Sequence, residues 1–342
     1  MTGQTAAFHG DPPEAVCLGE SMAVLVPDRP GALDTVESFR VAVGGAESNV
    51  ACGLARLGIA SAWVSRVGSD GFGKRLTAEL AACGVDVSGV AVDPARPTGL
   101  YVKELGEQSR MHYYRSGSAA SALDPSALAD PATARLLTGT RLLHLTGITP
   151  ALSDGCLGLV RALLATKRPG RTISFDLNWR PALWRDRDPA VLRELMDAAD
   201  VLLLGADEAE AAFGVGDPRE LRAMFPSPTT LVVKDSGHLV TALDRDGTAV
   251  TERALTVEVV EPTGAGDGFA AGYLAATLRG LDPRTRLRLG HLTAACALTT
   301  HGDHGETFPE YVITALLGSS AEEWAATRVT ALGIHSPILT HP

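Results

Sequence analysis

The feature that most restricts how this chain can fold is a series of short strands, apolar on both faces, each followed by a stretch with helical spacing. "AVCL" (15–18), "VLLLG" (201–205) and "TLVVKD" (230–235) leave almost no side for water. Such strands are stable only when both faces are covered, which a sheet built from strand–helix–strand crossovers provides. After the first strand, Val50, Leu54 and Leu57 fall at helical spacing before a stop at Gly58. The rhythm continues through strand "SAWVSRVG", helical 74–83, strand "RLLHLTG", helical 155–167 and strand "TISFD". Then come "VLLLG", helical "DEAEAAFG", "TLVVKD" and two Ala/Leu-rich helices at 266–278 and 285–300. The expectation is an α/β fold with a central, mostly parallel sheet flanked by helices. The 342 residues can bury such a core as one large domain or as one domain with a small appendage, and no repeat of fixed period or low-complexity tract interrupts it.

Two segments break the rhythm. Residues 21–43 and 98–118 read as extended hairpins, the second turning near Gly106 with Leu100 and Val102 alternating against Tyr101 and Lys103. Together they predict a small accessory sheet. Strand alternation puts Tyr113 and Arg115 on one side, which suits a sheet with one face over a cleft; a surface hairpin with solvated charges is the alternative.

Composition narrows the partners. A net charge of -10 argues against nucleic acid and against an anionic membrane, while an anionic small molecule remains compatible because a site is governed by its local field. The five cysteines are scattered and form no Cys-x-x-Cys pair, so buried free thiols are expected in place of a disulfide framework or a zinc site. The first residues show no basic stretch leading into an apolar one, and no apolar run reaches the length of a bilayer span. A cytoplasmic protein is the expectation.

The most informative stretch for chemistry is "EPTGAGDGFAAGYLA", residues 261–275. A helix beginning there exposes unpaired backbone NH groups and the positive end of its dipole, and glycines let an anion approach closely. An acid at the same place, Asp267, is incongruous unless the anion is a transferring phosphoryl group and the acid takes a proton from the attacking hydroxyl. "VGGAESN" sets Gly44 and Gly45 before a helix that carries Asn49, fit either for a ligand's hydroxyls or simply for a tight strand-to-helix turn. It has neither the G-x-G-x-x-G spacing of a dinucleotide site nor the Gly-Lys-Ser/Thr of a P-loop. "FDLNWRPALW" presents Asp176, Asn178 and Arg180 at a strand exit, where Arg180 suits a phosphate, a carboxylate or a structural ion pair. Glu208 follows one strand closely and could orient hydrated magnesium, and Lys234 ends another.

Taken in order, GGAESN, DLNWR, the late VVK strand and PTGAGDGF resemble the PfkB/ribokinase family of sugar kinases over about residues 15–310. "GESM", "PTGLYVKE", "YYRSGSAAS", "HLTGITPAL" and "DLNWRPALW" look most like its 2-keto-3-deoxygluconate kinases, although fructokinases share the last element. The resemblance implies a ribokinase-like, Rossmann-like sheet with a β lid formed by residues 21–43 and 98–118, and ATP with Mg2+, with room for a monovalent cation. It implies Asp267 as base and the amides of Gly264, Ala265 and Gly266 as the anion hole. Gly45, Asn49, Tyr101, Tyr113, Arg115 and Arg180 would meet a sugar acid. Asn178, Lys234, Ser236 and Gly237, with Gly264 and Gly266, would meet the nucleotide, and Glu208 the metal through water.

The expected reaction is transfer of the γ-phosphoryl group to a primary hydroxyl of 2-keto-3-deoxygluconate. A fructokinase or another PfkB sugar kinase is the alternative enzyme, and a catalytically silent sugar-binding regulatory protein the alternative of another class. Free lid edges predict a homo-oligomer. Two positions depart from the family: Glu261 stands where Asp is usual, and Gly205 where Asn or Ser is usual. Residues 311–342 form an extension to which the sequence assigns no role.

Overall fold

The computed structural model describes residues 12–106, 110–166, 169–235, 238–300 and 307–339. A nine-stranded sheet crosses the molecule in the spatial order Ala249–Arg253, Leu239–Asp244, Thr230–Lys234, Val201–Gly205, Thr172–Asp176, Leu142–Thr146, Ala15–Leu18, Ser61–Gly68 and Val90–Asp93. The last seven are parallel, and the first two pair antiparallel at one edge. The first strand in sequence lies deep inside, between Leu142–Thr146 and Ser61–Gly68.

Burial on both faces is visible within that one strand. Val16 and Leu18 enter a cluster with Leu143, Phe175 and Leu204, while Ala15 and Cys17 enter the opposite one with Val50, Leu54 and Trp63. Helices cover both faces, and several of them start at side chains that satisfy the first orphan NH groups. Asp70 accepts from Gly73 N at 2.8 Å to open Gly71–Ala82, and Asp282 accepts from Arg284 N and Thr285 N to open Pro283–Leu298. Four of the five cysteines are buried, Cys83 is half-buried, and all are free. Among the described residues no helix is long and apolar enough to cross a membrane.

The two segments that interrupt the rhythm join in one four-stranded sheet, in the order Phe39–Gly44, Met22–Pro27, Leu100–Glu104, Arg110–Tyr114. Each hairpin is antiparallel, and a parallel pairing of Ala23–Leu25 with Leu100–Val102 unites them. The buried core of this sheet is small, consisting of Met22, Val24 and Tyr101 with Val26, Ala42 and Met111 against them.

Beyond the last long helix, the chain builds a third unit on the main body. Arg328–Thr330 runs parallel to Thr256–Val257 and antiparallel to Gly333–His335. Trp324 anchors it, donating from Nε1 to the Arg253 carbonyl at 2.8 Å beneath the Arg288 guanidinium, which lies 4.7 Å from its ring centre.

Candidate active site

Strands of a parallel sheet all end on the same side, and loops leaving those ends converge. Here Asp176, Gly205 and Lys234 end three neighbouring strands, with Leu203 opposite Asp176 and Gly205 opposite Lys234 in register. The four-stranded sheet roofs them. Between this floor and roof lies a cleft of about 670 Å³.

The Gly/Ala-rich sequence of the helix Ala265–Leu278 has a packing cause. A Cβ on Gly272 would stand 2.4 Å from the Leu289 carbonyl oxygen, and one on Gly268 would stand 2.9 Å from that of Thr293, so only glycine lets this helix lie against Pro283–Leu298. The helix Ala46–Arg56 approaches from another side, where a Cβ on Gly53 would come within 2.5 Å of Ala271 Cβ. One turn back along both helices, the same contact brings Asn49 to Asp267. Asn49 Nδ2 donates to Asp267 Oδ2 at 2.8 Å, and Asn178 Nδ2 donates to Oδ1 at 3.4 Å. Gly264 caps the helix at φ 88°, a left-handed conformation that disfavours any side chain. Asp267 is thus held in the first turn of a helix whose start lines the cleft at Gly264 and Gly266.

At one end of the cleft the roof meets the floor through charge. Arg115 is 9% exposed and ion-pairs with Glu20, which is 2% exposed, and Ser118 Oγ donates to Glu20 Oε1 at 2.8 Å. Arg115 Nε is buried without a hydrogen-bond partner. The Tyr101 and Tyr113 rings stand 5.4 Å apart, and the guanidinium carbon of Arg115 lies 5.5 Å from the centre of the Tyr113 ring. Gly45 permits the adjoining turn, because a Cβ there would lie 2.4 Å from the Glu20 carbonyl oxygen. Beneath that turn Glu47 is fully buried and accepts from Thr146 Oγ1 and Thr149 Oγ1, both at 2.7 Å. Burial pushes its pKa up to about 7, against the lowering effect of those two hydroxyls.

At the other end Lys234 Nζ meets Asp176 Oδ2 at 3.3 Å. Burial disfavours the ammonium, but the Asp176, Glu208 and Asp267 carboxylates outweigh it and raise the Lys234 pKa, so this group stays charged. Asn178 sits at φ 42°, a left-handed position that Asn tolerates better than most residues, and its buried Oδ1 has no hydrogen-bond partner. Glu208 accepts from Gly205 N at 3.0 Å and from Trp179 N at 3.1 Å, closing the start of its helix against the neighbouring strand exit. Burial raises its pKa.

The cleft lining contains Gly45, Asn49, Tyr101, Tyr113, Arg115, Asn178, Arg180, Glu208, Lys234, Gly264, Gly266 and Asp267. Ala265 begins the helix without lining the cleft, and Ser236 and Gly237 lie outside the described residues. Sequence reasoning about the site did not single out Glu20, Met22, Met111, Asp207 or Thr263, all of which line the same cleft. Only the acid of "GESM" carried a signal, since a Glu directly after an apolar strand needs a partner. The partner is 95 positions away, beyond the reach of local reading.

For magnesium, the donor set is spare. Among the described residues no group of three or more His, Cys, Asp and Glu is placed to hold a metal ion. Single carboxylates, Asp176, Asp207, Glu208 and Asp235, line the cleft instead. That fits an ion that keeps several waters and takes most of its charge partners from a phosphorylated ligand.

An anion-accepting helix start with a carboxylate in its first turn, at the carboxyl ends of parallel strands and under a small sheet, is an arrangement suited to phosphoryl transfer onto a small molecule. The family model described as pfkB family carbohydrate kinase matches residues 13–309, and the chain belongs to that family. Two relatives named 2-dehydro-3-deoxygluconokinase, another form of the name 2-keto-3-deoxygluconate kinase, are similar over most of their length. The one from Thermoproteus tenax is 36% identical across 84% of this chain and 89% of its own. The one from Bacillus subtilis (strain 168) is also 36% identical, across 85% and 91%. The crystal structure of a PfkB protein from Polaromonas sp. JS666 superposes with a TM-score of 0.74 at 35% identity, covering 83% of this chain and 95% of that one.

Proposed function

We propose that this carbohydrate kinase transfers the γ-phosphoryl group of ATP to the primary hydroxyl of a sugar acid, with 2-keto-3-deoxygluconate as preferred substrate. The observation that carries the reading is Asp267, fixed by Asn49 and Asn178 at a helix N-terminus in the same cleft as Arg115, Tyr101 and Tyr113. The names of the two relatives support the choice of sugar acid.

Asp267 accepts the proton of the attacking hydroxyl, and Asn49 and Asn178 hold both its oxygens so that it does not swing away. Gly264 and Gly266 line the cleft beside Asp267, and their amides meet the charge that develops on the phosphoryl oxygens. Lys234, kept protonated by its carboxylate neighbours, meets the nucleotide's phosphates, with Asn178 in the same subsite. Magnesium bound with the nucleotide would neutralise phosphate charge, and Glu208 would hold it through water. Gly45 and Asn49 meet sugar hydroxyls, while Arg115 and Arg180 take the carboxylate and keto end beside Tyr101 and Tyr113. The unpartnered Arg115 Nε supports this, because Glu20 engages only one edge of the guanidinium.

The test compares 2-keto-3-deoxygluconate with fructose in an ATP-dependent phosphorylation assay, for the unmodified enzyme and for Arg115→Ala and Arg180→Ala. The acid should be strongly preferred, and each variant should lower kcat/KM for it by about 10- to 150-fold while barely affecting fructose. Because Arg115→Ala also leaves Glu20 buried without its cation, the ratio between the two sugars is the quantity to read; a folding defect affects both equally. Equal use of fructose by the unmodified enzyme would make this a fructokinase.

A further inference from the structure

A buried lysine in the roof does not belong to either end of the cleft. Lys103 shares the inner face of its strand with Tyr101, two residues earlier, and its side chain is only 2% exposed. It crosses from the roof to the floor, where its Nζ stands 3.3 Å from Glu261 Oε2. Ammonium groups are rarely buried this deeply unless an opposite charge is placed for them.

Glu261 has a second engagement. Its other oxygen, Oε1, accepts from Thr263 Oγ1 at 2.7 Å and from Thr263 N at 3.2 Å. Thr263 is the residue before Gly264, whose left-handed conformation starts the helix of Asp267. Burial pushes the Glu261 pKa up, and the Thr263 hydroxyl and the Lys103 ammonium together outweigh it, so the carboxylate remains ionised. One unbroken chain of contacts therefore runs from the strand of Tyr101, through Lys103, Glu261 and Thr263, to the turn that faces the phosphoryl group.

We infer that Lys103 and Glu261 form a latch between roof and floor that couples sugar occupancy under the roof to the position of the Thr263–Gly264 turn. The inference rests on the phosphotransfer reading above. Both are positioning residues. A sugar that holds Tyr101 and its strand down keeps Lys103 on Glu261, and the turn stays fixed for nucleotide. Nucleotide bound first fixes the same turn and favours a closed roof, since coupling between two sites is reciprocal.

A double-mutant cycle on Lys103→Met and Glu261→Gln tests this, with Lys103→Arg and Glu261→Asp alongside. Steady-state kinetics and binding of a non-hydrolysable ATP analogue, with and without 2-keto-3-deoxygluconate, supply the readouts. In the unmodified enzyme the sugar should tighten analogue binding by about fivefold or more. Either single variant should abolish most of that tightening and lower kcat by about 10- to 100-fold, with the sugar KM at saturating ATP rising by no more than about the factor of coupling lost. The double variant should lose no more than the worse single one, because the two act as a unit. Lys103→Arg should retain most of the coupling, whereas Glu261→Asp, ionised but one methylene shorter, should lose it; the latter keeps the test open if Lys103→Met does not fold. Undiminished coupling in the single variants, with only a lower melting temperature, would overturn the latch, as would losses that multiply in the double variant. Failure of the substrate assignment looks different: the unmodified enzyme would then prefer another sugar, and the same cycle run on that sugar still decides the latch.

Discussion

The floor and the roof of the cleft are built to different standards. The floor stands on seven parallel strands whose side chains enter two large apolar clusters, and its cleft residues are tied together over long sequence distances, as Asn49 is to Asp267. The roof has four strands and a buried core of three residues, and Tyr113 is 43% exposed. Its buried Lys103, and Arg115 just beyond its last strand, are paired with acids outside the roof strands. The difference teaches where precision is needed. A proton acceptor must be held within a fraction of an ångström, which a thick core provides, whereas a cover must open, which a thin core permits.

Breaking the floor at its reactive point should have the largest effect. Asp267→Asn is expected to lower kcat by ~100-fold or more while ATP-analogue affinity stays within about threefold. Near-normal turnover by a folded variant would remove Asp267 from the mechanism and with it the claim that the floor holds the chemistry.

A smaller effect probes how the floor is held under the Gly45 turn. Glu47 titrates near 7 in the folded protein against the ordinary 4.5, so the folded state binds the extra proton between those values. Its stabilising contribution is complete below about 4.5 and is lost as the pH rises through about 7, at a slope of at most about 1.4 kcal/mol per pH unit. Melting temperatures of the enzyme and of Glu47→Gln, taken across that window, should diverge in favour of the variant as the pH rises. Parallel curves would show that Glu47 is ionised throughout.

The finest comparison is between floor and roof directly. Amide hydrogen exchange in Leu100–Glu104 and Arg110–Tyr114 should slow by about fivefold or more when sugar and an ATP analogue bind together, while the strands of the floor, already slow, change little. Protection confined to the floor would mean that the small sheet does not act as a lid.

Much of the floor was legible because its strands are continuously apolar. Ala15–Leu18, Ser61–Gly68, Thr172–Asp176 and Val201–Gly205 occupy the residues that the pattern indicates. Ala249–Arg253 escaped because it is an edge strand with alternating exposure, whose letters resemble a surface loop, and its antiparallel neighbour Leu239–Asp244 escaped with it. In the site, the glycines and Asp267 announced themselves by local contradiction, an acid beside an anion-binding turn. Glu20 and Glu261 did not announce their roles, because each is defined by a cation brought from the roof strands or just beyond them.

The sequence by itself determined the class of fold, the break in rhythm that becomes the roof, and the stretch that begins the helix of Asp267. Hydrophobic period, glycine and helix-start chemistry act over a few residues and are written in order along the chain. Tertiary structure alone decided the strand order that sets Ala15–Leu18 in the interior, and the helix contact that delivers Asn49 to Asp267 across 218 positions. It also decided which acid each buried cation would meet. Those outcomes depend on which surfaces exclude water together, and that is a property of the packed molecule and not of any neighbourhood in the chain.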